Sequence, residues 1–371
     1  MSFRPSRRDA LKAVGVAAFL TAASPGADRA EQHQESSTTP KIALGIDARD
    51  EAGRVDPLDM REVKQLGVDH VLAVGPKIPW TEAQLRALKD QLTGAGLALG
   101  NLMIDGFPKT LYGKPGRDEE IHSVQQSLSA AGAVGVPVVE YNFYAHRLTE
   151  GYYAETGRAG AGMTAFDYEK VKNLPPLPEE GAHHLEDMWQ NITYFLKAVV
   201  PVAERAGVRL ALHPNDPPAP LSRGSEQIMS TLAGWKRLID VVPSPANGIT
   251  YDCGVTRELG EDPVEVCRYF GQRDRINHVH FRNVRVVRPR EKYTEVFLDE
   301  GQVDMFAVMK ELVRQKYPRL IFPEHPRALA VDRRGDPFWS HYPGGGGYTG
   351  YAFNVGYTRA MLQAALASGA M

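Results

Sequence analysis

The sequence has almost no surplus charge and very little cysteine. Its 43 lysine and arginine residues are balanced by 45 aspartate and glutamate residues, which gives a formal net charge of −2. Both signs are scattered along the chain, so no basic face of the kind that nucleic acid or an anionic membrane requires is expected. The two cysteines, Cys253 and Cys267, are too few for a disulfide framework, and we interpret them as buried thiols. The balanced, scattered charge excludes nucleic acid as a partner.

A long hydrophobic run is also missing near the N-terminus. The apolar run 13–23 is shorter than the ~20 residues that a membrane-spanning helix needs. It follows the pair Arg7-Arg8 and precedes a polar tract that ends near Pro40. This order predicts a twin-arginine export signal and polar linker over residues 1–40, and hence a periplasmic or otherwise exported protein. An amphipathic helix or a membrane anchor is the alternative, but so short a run does not predict stable membrane insertion.

From Lys41 onward, short runs of β-forming residues alternate with segments of helical periodicity. The eight predicted strands are Ile42–Ile46, Val68–Val74, Leu97–Ile104, Pro137–Phe143, Val208–His213, Gly248–Cys253, Ile276–Phe281 and Leu320–Glu324. The predicted helical segments include Trp80–Leu92, Glu120–Ala131, Met188–Ala206, Gly234–Val241, Pro263–Phe270 and Met305–Lys316.

This alternation predicts an α/β fold in which eight parallel strands close into a (β/α)8 TIM barrel over residues 41–371. The main alternative is an open doubly wound sheet. The Gly-x-Gly-x-x-Gly loop that would favour it does not follow the first strand. The stretch Ala145–Gly181, rich in Gly, Pro and Tyr, is too long for a plain connector and predicts a loop or lid over the barrel mouth. A disordered surface insertion is the alternative there.

The fifth to eighth predicted strands end in residues that can bind a metal ion, namely His213, Asp252, His280 and Glu324. The carboxyl ends of barrel strands meet at one face, so two imidazoles and two carboxylates can converge there on one divalent ion. A mixed set of this kind suits Mn²⁺, Fe²⁺ or Zn²⁺. One histidine at a strand end is more often structural, and the coincidence of four such ends favours a metal site.

Side-chain alternation along a strand restricts the choice among neighbours. Asp252 and Cys253 point to opposite faces of a regular strand, so only one of them can face the ion. His278 and His280 share a face, and His280 lies nearer the mouth. We therefore expect His280 to be the ligand and His278 to support it from one layer below.

Several longer segments carry a resemblance to a known family. They are Gly116-Arg117-Asp118, Tyr141-Asn142-Phe143, Tyr194-Phe195-Leu196-Lys197, His213-Pro214-Asn215-Asp216-Pro217-Pro218, His280-Phe281-Arg282-Asn283-Val284 and Gly301-Gln302-Val303-Asp304-Met305. On these segments the chain resembles the mannonate dehydratase family of xylose-isomerase-like barrels over most of residues 60–371. The resemblance implies a metal-dependent hydro-lyase that converts a sugar acid, D-mannonate or a related aldonate, to a 2-keto-3-deoxy acid.

The resemblance also assigns site residues. It places the family's metal histidines on His213 and His280, its metal cysteine on Asp252 and its metal carboxylate on Glu324, with Mn²⁺ or Fe²⁺ as the expected ion. It implies proton-transfer roles for Tyr348 and His325, although Tyr348 could equally be a packing residue. The residues that it implies for substrate binding, each of which could instead be a cap or an ion pair, are Arg117, Asn215, Asp216, Arg282 and Arg327.

The chain departs from the family pattern at the mouth. Tyr144–Thr149 stands where the family has Trp-Thr-Arg-Thr-Asp-Leu, Gln227 replaces an arginine, and Phe107-Pro108 replaces a His-Glu pair. Two alternative functions therefore stay open at this point, a sugar isomerase or epimerase of the same barrel group and a non-catalytic periplasmic sugar-binding barrel. A homo-oligomer is also left open.

Overall fold

The computed structural model describes residues 35–46, 53–332 and 338–369. Residues 1–34 of the predicted export signal lie outside these ranges. The described residues form twelve strands: β1 Lys41–Gly45, β2 His70–Val74, β3 Ala98–Ile104, β4 Val138–Tyr141, β5 Tyr152–Thr156, β6 Gly162–Asp167, β7 Arg209–Leu212, β8 Asn247–Asp252, β9 Ile276–His280, β10 Asn283–Arg288, β11 Lys292–Val296 and β12 Leu320–Phe322.

Eight of these strands close into a barrel. β1, β2, β3, β4, β7, β8, β9 and β12 are hydrogen-bonded in this order, β12 pairs with β1, and all pairs are parallel. The eight predicted strands coincide with these to within a few residues, and the predicted (β/α)8 TIM barrel is confirmed. β8 and β9 are buried along their whole length, as expected of parallel strands with side chains packed on both faces.

Helices connect the barrel strands. In the described residues they are α1 Pro57–Gln65, α2 Glu82–Gly94, α3 Pro108–Leu111, α4 Arg117–Ala133, α5 Leu185–Ala206, α6 Leu232–Val241, α7 Cys253–Glu258, α8 Pro263–Gly271, α9 Met305–Arg314 and α10 Tyr348–Ala367. Local signals set their ends. Thr81 and Gln84 form a reciprocal capping box at the start of α2, and Gly207 ends α5 in the left-handed conformation at φ 68°.

A second, four-stranded sheet lies at the carboxyl ends of the barrel strands. We call β10, β11, β6 and β5, which pair antiparallel in this order, the lid sheet. The predicted lid at Ala145–Gly181 supplies β5 and β6. The other half, β10 and β11, follows β9 directly and was not predicted. Phe166 and Tyr293 stack at 5.4 Å in the small core beneath this sheet.

Both cysteines are free and buried, as predicted. No helix in the described part of the chain combines the length and the apolar character that crossing a bilayer requires.

Candidate metal centre

Four side chains at the carboxyl ends of consecutive barrel strands converge on one point. His213, Asp252, His280 and Glu324 each offer one ligand atom, and these atoms all lie within 4.8 Å of one another. His213 Nε2 lies 3.1 Å from His280 Nδ1, which in turn lies 2.9 Å from Glu324 Oε1. All four residues are buried. We call these four residues the metal cluster.

Strand register explains why the metal cluster forms. Asp252 at the end of β8 is paired with His280 at the end of β9, and His280 is paired with Phe322 at the end of β12. Glu324 lies two residues beyond Phe322, and His213 follows the last residue of β7. The side chains therefore lie at the same height along neighbouring strands. Asn354 of α10 fixes the turn after β12 by donating from Nδ2 to the carbonyl of Glu324 at 3.1 Å.

His213 is held in a form that can bind a cation, whereas the carboxylates around His280 favour a positive charge at that place. His213 Nδ1–H donates to the carbonyl of Pro214 at 2.7 Å, which leaves the lone pair of Nε2 facing the cluster. Burial lowers the pKa of His213 to about 4, so its ring is neutral. For His280, burial acts in the same direction, but the carboxylates of Glu324 and Glu140 outweigh it and raise the pKa to about 9.

Asp252 and Cys253 lie at the junction of β8 and α7, and their side chains contact different groups. Asp252 Oδ1 accepts from the backbone N–H of Val255 at 2.8 Å, and Oδ2 accepts from Nε of Arg282 at 2.9 Å. The thiol of Cys253 instead donates to the carbonyl of Arg282 at 3.2 Å. Asp252 is thus the member of the pair that the structure brings into the metal cluster.

The metal cluster fits a divalent ion. Two ligand atoms each ~2.1 Å from one ion, at angles between octahedral and tetrahedral, are about 3.0–3.4 Å apart, close to the two distances above. Glu324 Oε1 is buried and accepts no hydrogen bond within the described residues. Carboxylates also outnumber guanidinium groups around the cluster, with Glu140, Asp216, Asp252, Glu258, Glu295 and Glu324 against Arg147, Arg282 and Arg327. A divalent cation would bring these buried charges closer to balance.

A cavity of about 340 Å³ opens above the metal cluster. His213, His280 and Glu324 form part of its floor. Another part of the lining, which we call the cavity wall, includes Tyr144, Arg147, His325, His341 and Tyr342. In the described part of the chain Arg147 is the one lysine or arginine that lines this cavity.

Asp216 holds Arg147 in place. The Nε of Arg147 donates to the Asp216 carbonyl at 2.6 Å, and Nη2 donates to Asp216 Oδ2 at 3.2 Å. Asp216 Oδ1 accepts from the hydroxyl of Tyr152 in β5 at 2.6 Å. Burial raises the pKa of Asp216, but Arg282 and Arg147 outweigh it and hold the carboxyl well below its usual range. Asp216, a predicted substrate residue, is therefore an ionised anchor beneath the cavity wall.

His325, predicted for proton transfer, lines the cavity next to the metal cluster. Its Nδ1–H donates to Glu295 Oε2 in β11 at 2.8 Å, and its ring centroid lies 4.9 Å from that of Tyr342. Its backbone has a φ of 50°, an uncommon conformation for a side chain of this size and one that is frequent at functional sites. Arg327 pairs with the same Glu295 oxygen at 2.8 Å and is 1% exposed.

Besides Asp216 and Arg327, four other predicted residues do not line the cavity. Arg117 lies over the ring of Tyr194 at 3.8 Å, on the outer helices α4 and α5. The hydroxyl of Tyr348 donates to the carbonyl of Glu62 in α1 at 3.0 Å. The remaining two are buried: Asn215 accepts from the N–H of Met229 at 2.8 Å, and Arg282 donates to Asp252 and to Glu258.

Sequence reasoning missed Tyr342 on the cavity wall and three charged residues of the site. Glu140 lies in the middle of a predicted strand, where one acid among apolar residues was the only signal. Arg147 lies in a stretch noted only as a departure from a family pattern. Glu295 belongs to the hairpin that was not predicted. The charge of these three residues is visible in the sequence. Their position near the metal cluster follows only from the closure of the barrel and from the course of the long connections.

Comparison with known proteins gives a consistent result. A family model described as D-mannonate dehydratase (UxuA) matches residues 50–178 and 181–367. Mannonate dehydratase from Streptococcus equi subsp. zooepidemicus is 31% identical over 323 residues, which cover 78% of this chain and 88% of that protein. Mannonate dehydratase from Oceanobacillus iheyensis is 30% identical over 313 residues, covering 75% and 87%.

Solved structures agree with the sequence matches. The crystal structure of mannonate dehydratase from Streptococcus suis serotype 2 has a TM-score of 0.79 at 28% identity and covers 89% of this chain and 96% of that chain. A xylose isomerase-like TIM barrel protein from Mycobacterium smegmatis in complex with magnesium, with a TM-score of 0.57 at 16% identity and coverage of 90% and 100%, shares the fold. The chain belongs to the D-mannonate dehydratase family, and it is a hydro-lyase.

Proposed function

We propose that the enzyme dehydrates D-mannonate or a closely related aldonate to a 2-keto-3-deoxy acid, with one Mn²⁺ or Fe²⁺ ion bound by His213, Asp252, His280 and Glu324. The observation that carries this proposal is the position of the metal cluster. Its four ligand atoms converge, and three of the residues, His213, His280 and Glu324, line a cavity that also presents the guanidinium group of Arg147. An anionic, hydroxylated substrate of small size matches both ends of that cavity.

The reaction breaks two bonds of the substrate. The C2–H bond gives up its proton to a base, the C3–O bond breaks as the hydroxyl leaves with a proton as water, and the resulting enol rearranges to the ketone. When bound, the divalent ion supplies Lewis-acid stabilisation of the negative charge that develops on the substrate carboxylate as the C2 proton leaves. The residues of the chain must then orient the substrate and move the two protons.

His325 and Tyr342 are the pair that we assign to proton transfer. With its Nδ1–H held by Glu295, His325 has Nε2, 3.4 Å from Glu324 Oε2, as the ring atom that we assign to accept the C2 proton. Burial raises the pKa of Tyr342, which keeps its hydroxyl protonated and able to donate to the leaving group. The guanidinium carbon of Arg147 lies 5.3 Å from the centre of the Tyr342 ring, where its charge favours a transient phenolate. Tyr342 thus takes the role that sequence reasoning gave to Tyr348.

Arg147 is the residue that we assign to substrate orientation. Its Nε and Nη2 are fixed on Asp216, while Nη1 makes no hydrogen bond within the described residues. A guanidinium held in this way can donate to a hydroxyl or carboxylate oxygen with little further loss of freedom. It therefore fixes how the acid lies above the metal cluster.

A substrate screen on purified protein reconstituted with Mn²⁺ or Fe²⁺ tests the proposal. Aldonates are expected to be consumed, with a 2-keto-3-deoxy acid detected by NMR as the product. Interconversion of neutral aldoses and ketoses with inert aldonates would favour an isomerase instead. Tight sugar binding without turnover at any pH would favour a binding protein.

We also propose that the protein is exported through its twin-arginine segment at residues 6–12. Twin-arginine export carries folded proteins, which suits an enzyme that acquires its metal before it leaves the cytoplasm. Fractionation of cells that express the full chain is expected to place the enzyme outside the cytoplasm. Replacement of Arg7 and Arg8 by lysine should retain it inside, and an unchanged distribution would reject the signal.

A further inference from the structure

A buried polar layer lies directly beneath the metal cluster. Glu140 in β4 is 1% exposed, and both of its carboxylate oxygens accept hydrogen bonds. Asn101 Nδ2 donates to Oε2 at 2.9 Å, and Thr250 Oγ1 donates to Oε1 at 2.7 Å. The carboxylate is therefore fixed in orientation before any ligand binds. Its Oε1 lies 3.5 Å from Nε2 of His280.

The two nitrogens of His280 face different surroundings. Nδ1 belongs to the metal cluster, 3.1 Å from His213 Nε2 and 2.9 Å from Glu324 Oε1. Nε2 points to the opposite side, is buried, and makes no hydrogen bond of ordinary length within the described residues. A neutral imidazole that gives the lone pair of one nitrogen to a cation carries its proton on the other. The proton of the metal-bound ring must then lie on Nε2, facing Glu140.

We propose that Glu140 is a positioning residue for the metal centre. It accepts the Nε2–H of His280, which fixes the tautomer and the ring plane so that Nδ1 faces the ion. An ionised carboxylate behind a ligating imidazole also makes that imidazole a stronger donor. This role rests on the proposed metal centre, and it adds to the cluster a residue that acts through His280.

The same atoms allow one competing interpretation. Glu140, His278 and His280 could together hold a second cation, since their ligand atoms also lie within 4.8 Å of one another and both ring nitrogens of His278 lack hydrogen-bond partners. Simultaneous occupation of both sites would require His280 to lose the protons of both nitrogens. Both oxygens of Glu140 are moreover engaged with Asn101 and Thr250. Positioning of one ligand therefore accounts for the geometry with less rearrangement.

Mn²⁺ binding to the metal-free full-length protein, measured by calorimetry, tests this role. Glu140→Gln keeps the size of the side chain and removes its charge, and it is expected to weaken Mn²⁺ binding by about 10- to 100-fold. Glu311→Gln is the matched control. Glu311 is also a buried carboxylate, but it pairs with Arg268 and Arg314 away from the barrel mouth. The control is expected to bind Mn²⁺ as the wild type does, and both variants should lose similar thermal stability in the metal-free state.

Two further variants keep the outcome decisive. Glu140→Asp retains the charge and should recover part of the lost affinity. If Glu140→Gln does not fold, Thr250→Val, which removes one donor to the carboxylate, should weaken binding in the same direction by a smaller factor.

Each remaining outcome overturns the proposal. Unchanged affinity in Glu140→Gln rejects the positioning role alone. Two Mn²⁺ ions per wild-type chain, reduced to one in His278→Phe, would identify a second cation site instead. A wild type that binds no divalent ion would reject the metal centre and this role together.

Discussion

The metal cluster and the cavity wall border the same cavity but come largely from different parts of the chain. His213, Asp252, His280 and Glu324 stand at the ends of barrel strands, where the strand ladder fixes their height and direction. Arg147 and Tyr342 stand in long connections, which can change in length and sequence without disturbing the barrel. This difference teaches that the ends of the barrel strands position the metal ligands, whereas the connections supply the residues that we assign to substrate recognition.

The largest effect is expected when one of the four ligands is removed from the metal cluster. Asp252→Ala is expected to lose the bound ion and reduce turnover to background, because the cluster loses one of its four donors. Cys253→Ala, one residue away at the start of α7 and with its thiol bonded to the Arg282 carbonyl, should keep both. Elemental analysis with activity assays checks the pair. Loss of metal in the Cys253 variant alone would show that the ligand register is shifted by one residue.

The next largest effect is expected on the cavity wall. Tyr342→Phe removes the hydroxyl proposed as the acid, and kcat should fall by about 10²- to 10⁴-fold with metal content unchanged. Tyr348→Phe is its control. That variant loses a hydrogen bond to the Glu62 carbonyl, which affects stability by about 1 kcal/mol and leaves kcat near the wild-type value. Steady-state kinetics that rank the two variants in the reverse order would restore Tyr348 as the acid.

Substrate orientation should respond to a smaller degree. Arg147→Met keeps much of the side-chain length but removes the charge, and the loss of a charge-assisted hydrogen bond of about 1.5–3 kcal/mol raises KM for the sugar acid by about 10- to 100-fold. Arg117→Met, which alters a cation stacked on Tyr194 outside the cavity, should leave KM unchanged. Equal KM values in all three proteins would remove Arg147 from the substrate site.

The smallest effect is expected from weakening the contact between the lid sheet and Asp216, which holds Arg147 of the cavity wall. Tyr152→Phe deletes the hydroxyl that donates to Asp216 at 2.6 Å, while the Tyr293 hydroxyl still donates to the same oxygen at 3.3 Å. We expect a loss of about 1–2 kcal/mol in the free energy of unfolding and a rise in KM of only a few fold. Denaturant titration and kinetics measure the two quantities. A KM as high as that of Arg147→Met would mean that the lid sheet controls the position of Arg147 directly.

The sequence was sufficient to predict the barrel and the residues of the metal cluster. Eight alternating strands and helices predict a closed barrel of parallel strands. Because the carboxyl ends of these strands meet at one face, the sequence alone was enough to predict that His213 and Glu324 lie close together. Alternation also left room for only one of Asp252 and Cys253 at the ion.

The rest depended on chain segments whose course is not periodic. Arg282 was predicted to contact the substrate, but it is buried. Its guanidinium group instead donates to the carboxylates of Asp252 and Glu258. Tyr348 follows a glycine-rich stretch that can take many directions, and the residue that reaches the cavity lies six positions earlier, at Tyr342. Glu140 belongs to a correctly predicted strand, but only the closed barrel, in which β4 pairs with β7, shows that its carboxylate lies 3.5 Å from His280 Nε2.

The pairing of β6 with β11 also bears on the order of folding. Asp167 and Lys292, which form an ion pair across these strands, are 125 residues apart in the chain. Contacts of such long range carry a large loop-closure cost and tend to form late. The pairing that closes the barrel, between Lys41 in β1 and Leu320 in β12, is of still longer range. We therefore expect barrel closure and the lid sheet both to form late, so that the ligand positions stay open to free ions until the last stage of folding.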